Sequence, residues 1–162
     1  MGPMRRLLAL FLALAPILGY ADVEVPIKNG SATAVSKDKS GMPVAIVLRA
    51  EAPSTGFPFV RGYRWGTEVS SPEAVVTGLE IKVGKGEVFV PLSAYADLAN
   101  PSSVRMDLAS LPYRLHIRGG DASVAYEAQL IFTRRFVVRR RVANLSFPES
   151  AWEETRYSYN NK

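Results

Sequence analysis

Apolar and polar residues alternate with a period of two along most of this chain, and this pattern constrains the fold more than any other feature. Residues 79–83 alternate Leu, Ile and Val with charged residues, and residues 113–118 alternate Tyr, Leu and Ile with basic ones. Such alternation is typical of strands with one buried face. About nine or ten such segments follow at roughly 8–12-residue intervals, as in antiparallel sandwiches and barrels. We predict one all-β domain over residues 22–162, an antiparallel β-sandwich of Ig-like or C2-like type.

The predicted strands include one continuous apolar run and several alternating segments. Residues 43–50 are apolar almost throughout, which indicates a strand buried on both faces. Residues 78–92 predict a hairpin, whereas residues 28–42, which are polar and rich in Gly and Ser, predict a flexible loop. Ser93 is a candidate cap for a single helical turn. The other predicted strands are 22–27, 57–65, 104–108, 113–118, 124–132, 136–142 and 152–159.

Residues 1–21 have the pattern of a secretory signal peptide. Two arginines precede an apolar run over residues 7–18, and the small residues Gly19 and Ala21 fit a cleavage site. We therefore predict cleavage after Ala21 and a periplasmic or secreted protein, and the alternative is a buried N-terminal helix. The apolar run is shorter than the ~20 residues that a transmembrane helix needs, so no transmembrane segment is predicted in the mature chain.

The residue types that support most enzyme chemistry are missing or sparse. The chain has no cysteine, which excludes disulfides and thiolate metal sites, and the single histidine, His116, is too few for a zinc site. Asp97, Asp107 and Asp121 offer oxygen ligands for calcium, but their spacing matches no calcium loop. Neither a Gly-x-Ser-x-Gly elbow nor a glycine-rich phosphate loop occurs. We predict no metal and no cofactor.

Basic charge is concentrated in one segment of the chain. The formal net charge is +5, and five of the 20 basic residues lie within a single short stretch: Arg134, Arg135, Arg139, Arg140 and Arg141. Two more basic residues belong to the predicted signal peptide. Without these two groups the remaining chain has fewer basic than acidic residues, so the basic excess of the mature protein comes from the arginine-rich segment.

The arginine-rich segment predicts a β-hairpin with Thr133–Arg135 as its turn. Pairing on either side of this turn places Glu127 opposite Arg141 as a cross-strand ion pair. It also places Arg140 on the apolar face opposite Ala128, either at the sheet rim or turned outward by a bulge. Because the turn lacks the usual Gly or Asn, one long continuous strand is the competing interpretation.

A surface for an anionic partner is the function that this charge favours. If strand 113–118 lies beside the hairpin, its basic side chains share one outer face with those of the hairpin. Guanidinium groups suit phosphate and carboxylate, so we predict a non-enzymatic module that contacts an acidic protein, a polysaccharide or a lipid headgroup of the envelope. Nucleic acid is not expected, because only one aromatic residue, Phe136, interrupts the run. The candidate contact residues are Arg134, Arg135, Arg139, Arg141, Arg114, His116 and Arg118.

Other interpretations stay open at this point. The arginines also suit protection of a long strand edge against aggregation. Tyr63 and Trp65 place two rings on one side of a strand, which predicts either an exposed binding platform or part of the core. A structural subunit that contributes strands to an envelope assembly needs an unpaired edge over residues 124–142. A small hydrolase needs two carboxylates, for which the candidates are Glu80, Glu127, Glu153 and Glu154.

Overall fold

The computed structural model describes residues 23–54, 65–67 and 72–160. This part of the chain forms strands and two single-turn 3-10 helices, Leu92–Ala94 and Ala122–Val124, so the all-β prediction is confirmed. None of its helices is long and apolar enough to cross a membrane. The strands are β1 (Val23–Pro26), β2 (Ser31–Lys37), β3 (Pro43–Glu51), β4 (Val75–Val83), β5 (Gly86–Val88), β6 (Pro101–Asp107), β7 (Tyr113–Gly119), β8 (Tyr126–Phe132), β9 (Val137–Asn144) and β10 (Ala151–Arg156).

The strands form two antiparallel sheets, an arrangement consistent with a β-sandwich. One sheet has the order β1-β6-β7-β8-β9-β10 and the other the order β2-β3-β4-β5. Buried side chains of both sheets belong to one core, for example Ile46 and Ile81 from the smaller sheet and Leu115 and Leu130 from the larger one. Burial of this apolar surface drives the two sheets together, and the alternation along each strand turns the residues between to the outer faces.

Most of the short elements lie close to their predicted positions. The hairpin predicted over residues 78–92 is confirmed as far as Val88, where β5 ends, and its strands pair around a turn at Gly84, whose φ of +61° is left-handed. The last predicted strand is present but ends at Arg156. The helical turn predicted near Ser93 starts at Leu92, and no side chain caps it.

The loop predicted over residues 28–42 is wrong for its central part, where β2 forms. β2 pairs with β3 along its whole length. Its buried positions are occupied by Ala32 and Ala34, whose small side chains give only a weak apolar pattern and favour strands poorly. The Asn29-Gly30 pair, with φ values of 50° and 71°, closes the tight turn before it. An Asn-Gly pair is a strong signal for a hairpin turn between two strands. It is therefore the sequence feature from which β2 could have been predicted.

Two predictions fall wholly or mostly outside the described residues. The signal peptide at residues 1–21 is one of them. The other is the aromatic strand at residues 57–65, which includes Tyr63 and of which only Trp65 is described. Trp65 forms a single parallel bridge with Leu98.

The sheet topology brings four turns to one end of the molecule, which we call the turn end. Tyr113 Oη donates to Asp38 Oδ2 over 2.5 Å, and Gly84 N donates to Pro43 O over 2.8 Å. The first contact joins β7 of the larger sheet to the β2–β3 turn, and the second joins the β4–β5 turn to the start of β3 within the smaller sheet. The four turns are residues 38–42, 84–85, 108–112 and 133–136, which follow β2, β4, β6 and β8.

Residues 91–100, which form most of the connection from β5 to β6, contact both sheets, and we call this segment the crossover. Val76 N of β4 donates to Leu98 O over 3.0 Å. On the other side, Arg140 of β9 donates to Ser93 O through Nη1 over 2.6 Å. The crossover therefore places its polar residues against the larger sheet.

Candidate functional site

The arginine-rich segment forms the predicted hairpin, β8 and β9, in a different register. The turn runs from Thr133 to Phe136, and the Thr133 hydroxyl accepts from Phe136 N over 3.1 Å. A bulge beside this turn shifts the pairing of the two strands. Glu127 therefore lies opposite Ala143, and the predicted ion pair between Glu127 and Arg141 is wrong.

Five of the predicted contact residues share the outer face of the six-stranded sheet, because β7 pairs with β8 beside the hairpin. Each of the five has a partner within the fold, so this outer face is a network of polar contacts. The contacts are Arg118 with Glu127 (2.9 Å), His116 with Glu127 (2.8 Å), Arg139 with Glu154 (2.5 Å), Arg114 with Asp107 (3.4 Å) and Arg141 with the Pro148 carbonyl.

The single histidine lies inside this network. His116 is only 6% exposed, and its Nδ1 lies 2.8 Å from Glu127 Oε1. Arg118 Nε donates to the other carboxylate oxygen over 2.9 Å. The hydrogen bond with His116, and then that with Arg118, lower the pKa of Glu127 from 4.5 to about 2 against the opposing effect of burial. Two of the predicted contact residues therefore hold Glu127 ionised. Their own polar groups are already bound to its carboxylate.

The turn end differs, because its basic side chains are exposed and form no ion pair with any described carboxylate. We call these five the turn-end cations: Lys37, Lys39, Lys85, Arg134 and Arg135. Sequence patterns predicted only the two arginines. Lys37 ends β2 and Lys39 follows it, whereas Lys85 lies in the turn after β4, and only the topology brings Lys85 to the same end as the other two.

Acidic residues near the turn end do not neutralise these cations. Asp38 is buried and accepts hydrogen bonds from Ser40, Met42 and Tyr113. Those from Ser40 and Tyr113 lower its pKa most, so it stays ionised for these partners. Asp107, just before the β6–β7 turn, is engaged by Arg114 and by a backbone N–H. Neither carboxylate forms an ion pair with a turn-end cation.

Aromatic stacking fixes the tip of the hairpin. The Phe136 ring stacks on Tyr159 with a centroid distance of 4.5 Å, and Tyr159 Oη donates to Val137 O over 2.6 Å. Arg135 places its guanidinium carbon 5.4 Å from the Phe136 ring, a cation–π arrangement. Phe89 meets Tyr159 edge to face at 5.8 Å. The turn-end arginines are thus presented from an ordered surface.

Arg140 lies in the interior of the molecule instead of at a rim. It is 2% exposed and lies opposite Leu130, two positions from the predicted partner. Its Nη2 is 2.8 Å from Asp97 Oδ1 and 3.7 Å from Glu153 Oε2. An arginine at an apolar position of an alternating strand is the sequence signal for such a buried pair, but no pattern identified Asp97, 43 residues away.

Burial dominates the electrostatics around Arg140. The pKa of Asp97 is raised mainly by burial and also by the charge of Glu153, while Arg140 acts in the opposite direction. The hydroxyl of Tyr126 is fully buried and finds no hydrogen-bond partner among the described residues, and burial raises its pKa as well. Arg140 therefore links the crossover to β9 and β10. Because its guanidinium group is buried away from water, the carboxylates of Asp97 and Glu153 are required to stabilise its charge.

Trp65 packs beside this cluster. Its ring stacks on Trp152 with a centroid distance of 5.1 Å and an interplanar angle of 11°, and its Nε1 donates to Glu153 Oε2 over 3.3 Å. Trp65 is half-buried in this contact, while Tyr63, its predicted partner in an aromatic platform, lies outside the described residues. The contacts of Trp65 thus support packing between the crossover region and β10.

The carboxylates considered for metal binding or hydrolysis are spread over the molecule. Asp97, Asp107 and Asp121 lie in the crossover, at the turn end and at the opposite end, and no group of three His, Cys, Asp or Glu side chains that could hold a metal occurs in the described ranges. Glu80 pairs with Arg49 over 2.6 Å on the smaller sheet. Only Asp97 and Glu153 approach each other, and both contact the same nitrogen of Arg140, which places a fixed cation beside both carboxylates.

β8 and β9 are interior strands of the larger sheet, each paired on both sides. The edge over residues 124–142 that a strand-contributing subunit requires is therefore not free. The described edge strand on this side of the sheet is β10. Comparisons with known proteins add no constraint, because the chain matches no family model, no curated protein and no solved structure.

Proposed function

We propose that this protein is an exported, non-enzymatic binding module, built on an Ig-like or C2-like β-sandwich, that contacts an anionic envelope partner through the turn end. The signal-peptide pattern at residues 1–21 supports export. The observation that carries the contact is that the turn-end cations are exposed and form no ion pair with a described carboxylate, whereas the arginines of the outer face are engaged within the fold. Arg134 contacts the Tyr113 hydroxyl and Arg135 the Phe136 ring, and neither contact neutralises the charge.

Cations without a carboxylate partner make a better contact surface than cations that already form an ion pair. An arginine already bound to a carboxylate has to lose that partner before it can bind another, and the exchange gains little. Arg134 and Arg135 have no carboxylate to lose among the described residues. Each can give a charge-assisted and often bidentate hydrogen bond to a phosphate, sulfate or carboxylate group of a partner.

The distribution of the turn-end cations favours a partner that is extended. Lys37, Lys39 and Lys85 come from the end of β2 and from turns of the smaller sheet, and Arg134 and Arg135 from a turn of the larger one. A polymer or a surface with repeated negative charge can contact all five side chains at once. Such binding weakens as salt shortens the range of the electrostatic interaction.

Matched lysine substitutions test whether the turn end or the net charge is responsible. We expect Lys85→Glu and Lys39→Glu to elute from a dextran sulfate resin at lower salt than the unaltered protein, because each places a negative charge at the turn end. Lys28→Glu is the control, since Lys28 is exposed in the β1–β2 turn at the opposite end. Equal shifts for all three variants, or no retention of the unaltered protein, would refute the proposal.

A further inference from the structure

Exposed apolar side chains lie among the turn-end cations. Leu111, in the β6–β7 turn, is 50% exposed, and Phe89, just after β5, is 56% exposed. Five other large apolar side chains of the described residues are also exposed, and Phe147 and Val35 more so than these two. What distinguishes Leu111 and Phe89 is their position at the end of the molecule that carries the turn-end cations. Exposed apolar side chains that occur together with basic ones mark interaction surfaces more often than scattered single ones do.

Both residues are held at the turn end by backbone contacts. Phe89 N donates to Arg135 O over 2.8 Å, and Val137 N donates to Phe89 O over 3.1 Å. Leu111 lies two residues before Tyr113, the first residue of β7, which pairs with the last residue of β8 beside the hairpin turn. Both residues therefore belong to a framework that the sheets fix: Phe89 is hydrogen-bonded to the backbone of Arg135, and Leu111 lies in the turn beside the hairpin turn. The Phe89 ring also meets Tyr159 edge to face and keeps more than half of its surface exposed.

This combination of groups matches one class of anionic partner best. A lipid surface offers phosphate groups at its boundary and an apolar layer directly beneath them. Arginine and lysine interact with the phosphates while apolar side chains enter the acyl boundary. A polysaccharide or a nucleic acid backbone presents charge without such a layer, and would leave Leu111 and Phe89 in water.

We infer that the partner of the turn end is an anionic lipid surface, with Leu111 and Phe89 entering the headgroup boundary between the turn-end cations. This inference rests on the proposed function, of which it names the partner. The arginines and lysines draw the molecule to the surface, and the two apolar side chains make the attachment less sensitive to salt than charge alone does.

Vesicle binding by the full-length chain tests this inference. The probes are vesicles of phosphatidylglycerol mixed with phosphatidylcholine, and neutral vesicles of phosphatidylcholine alone. We expect tighter binding to the anionic than to the neutral vesicles, and a loss of about fivefold on the anionic vesicles for Arg135→Ser and for Leu111→Ser. The control is Leu145→Ser, because Leu145 is 42% exposed at the opposite end. All variants carry the same N-terminal apolar segment, so its contribution cancels in the comparison.

A labelled variant gives a second readout that does not depend on affinity. Because the chain has no cysteine, Leu111→Cys and Leu145→Cys each offer one site for an environment-sensitive dye. We expect a blue shift of the dye emission on anionic vesicles for Leu111→Cys and none for Leu145→Cys. Equal shifts at both positions, or none at position 111 under conditions of binding, would overturn the inference.

The vesicle and resin experiments fail in distinguishable ways. Retention on dextran sulfate without binding to anionic vesicles would overturn the lipid inference and leave the proposed function standing. Equal binding to neutral and anionic vesicles, or binding that Leu111→Ser and Phe89→Ser leave unchanged, would also overturn the inference. Loss of both retention and vesicle binding in the unaltered protein would refute the proposed function itself.

Discussion

The outer face of the six-stranded sheet and the turn end are both rich in basic residues, but they use them differently. On the outer face, strand pairing places acidic residues next to basic ones, as with Arg118 beside Glu127. At the turn end the nearest buried acid, Asp38, is occupied by its own turn and by Tyr113. We therefore expect exposure without an acidic partner, and not the number of arginines, to determine where this protein binds an anion.

Arg140 is a basic residue of the interior, in contrast to those of the outer face and the turn end. Removing its acidic partner is expected to have the largest effect on the free energy of unfolding. We expect Asp97→Ala to lower the free energy of unfolding by about 3–5 kcal/mol, because it leaves the buried guanidinium without its closest carboxylate. Urea unfolding measures this. The matched control is Glu154→Ala, which removes the acid partner of the outward-facing Arg139 and costs about 1 kcal/mol or less. Similar losses for the two variants would contradict the distinction between buried and surface pairs.

The second-largest effect is expected in the pH dependence of the stability, to which Glu127 contributes. Its folded pKa of about 2 lies below the ordinary 4.5, so its contribution to stability is complete above pH 4.5 and is lost as the pH falls to about 2. The shift corresponds to about 3 kcal/mol. We expect the stability of Glu127→Gln to depend less on pH within this window, as measured by urea unfolding at a series of pH values. An unchanged slope would show that the outer-face network does not hold Glu127 ionised.

The fold was largely predictable from the sequence, because burial of one strand face leaves a direct trace in the alternation. β2 was missed because Ala32 and Ala34 fill its buried positions with little apolar surface. The hairpin was predicted but not its register, since a bulge has no clear signal in residue types. The surfaces were less predictable still. Asp97 reaches Arg140 from the crossover, and Lys85 reaches the turn end from another sheet, and both depend on tertiary topology.

The smallest effect on stability is expected at the turn end. Arg134→Ser combined with Arg135→Ser removes two exposed charges, the contact of Arg134 with the Tyr113 hydroxyl and that of Arg135 with the Phe136 ring. We expect the melting temperature to fall by no more than a few degrees, because exposed contacts contribute about 1 kcal/mol or less. Thermal unfolding followed by circular dichroism checks this. A larger fall would mean that these arginines are structural and would place the turn end in the same category as the outer face.

The most direct test compares two double variants with equal loss of charge. One is Arg134→Ser with Arg135→Ser at the turn end, and the other is Arg139→Ser with Arg141→Ser on the outer face. Both are eluted from dextran sulfate with the same salt gradient. We expect the turn-end variant to elute at clearly lower salt and the outer-face variant to elute close to the unaltered protein. Equal shifts, or a larger shift for the outer-face variant, would contradict the claim that the turn-end cations, which have no carboxylate partner among the described residues, form the contact surface.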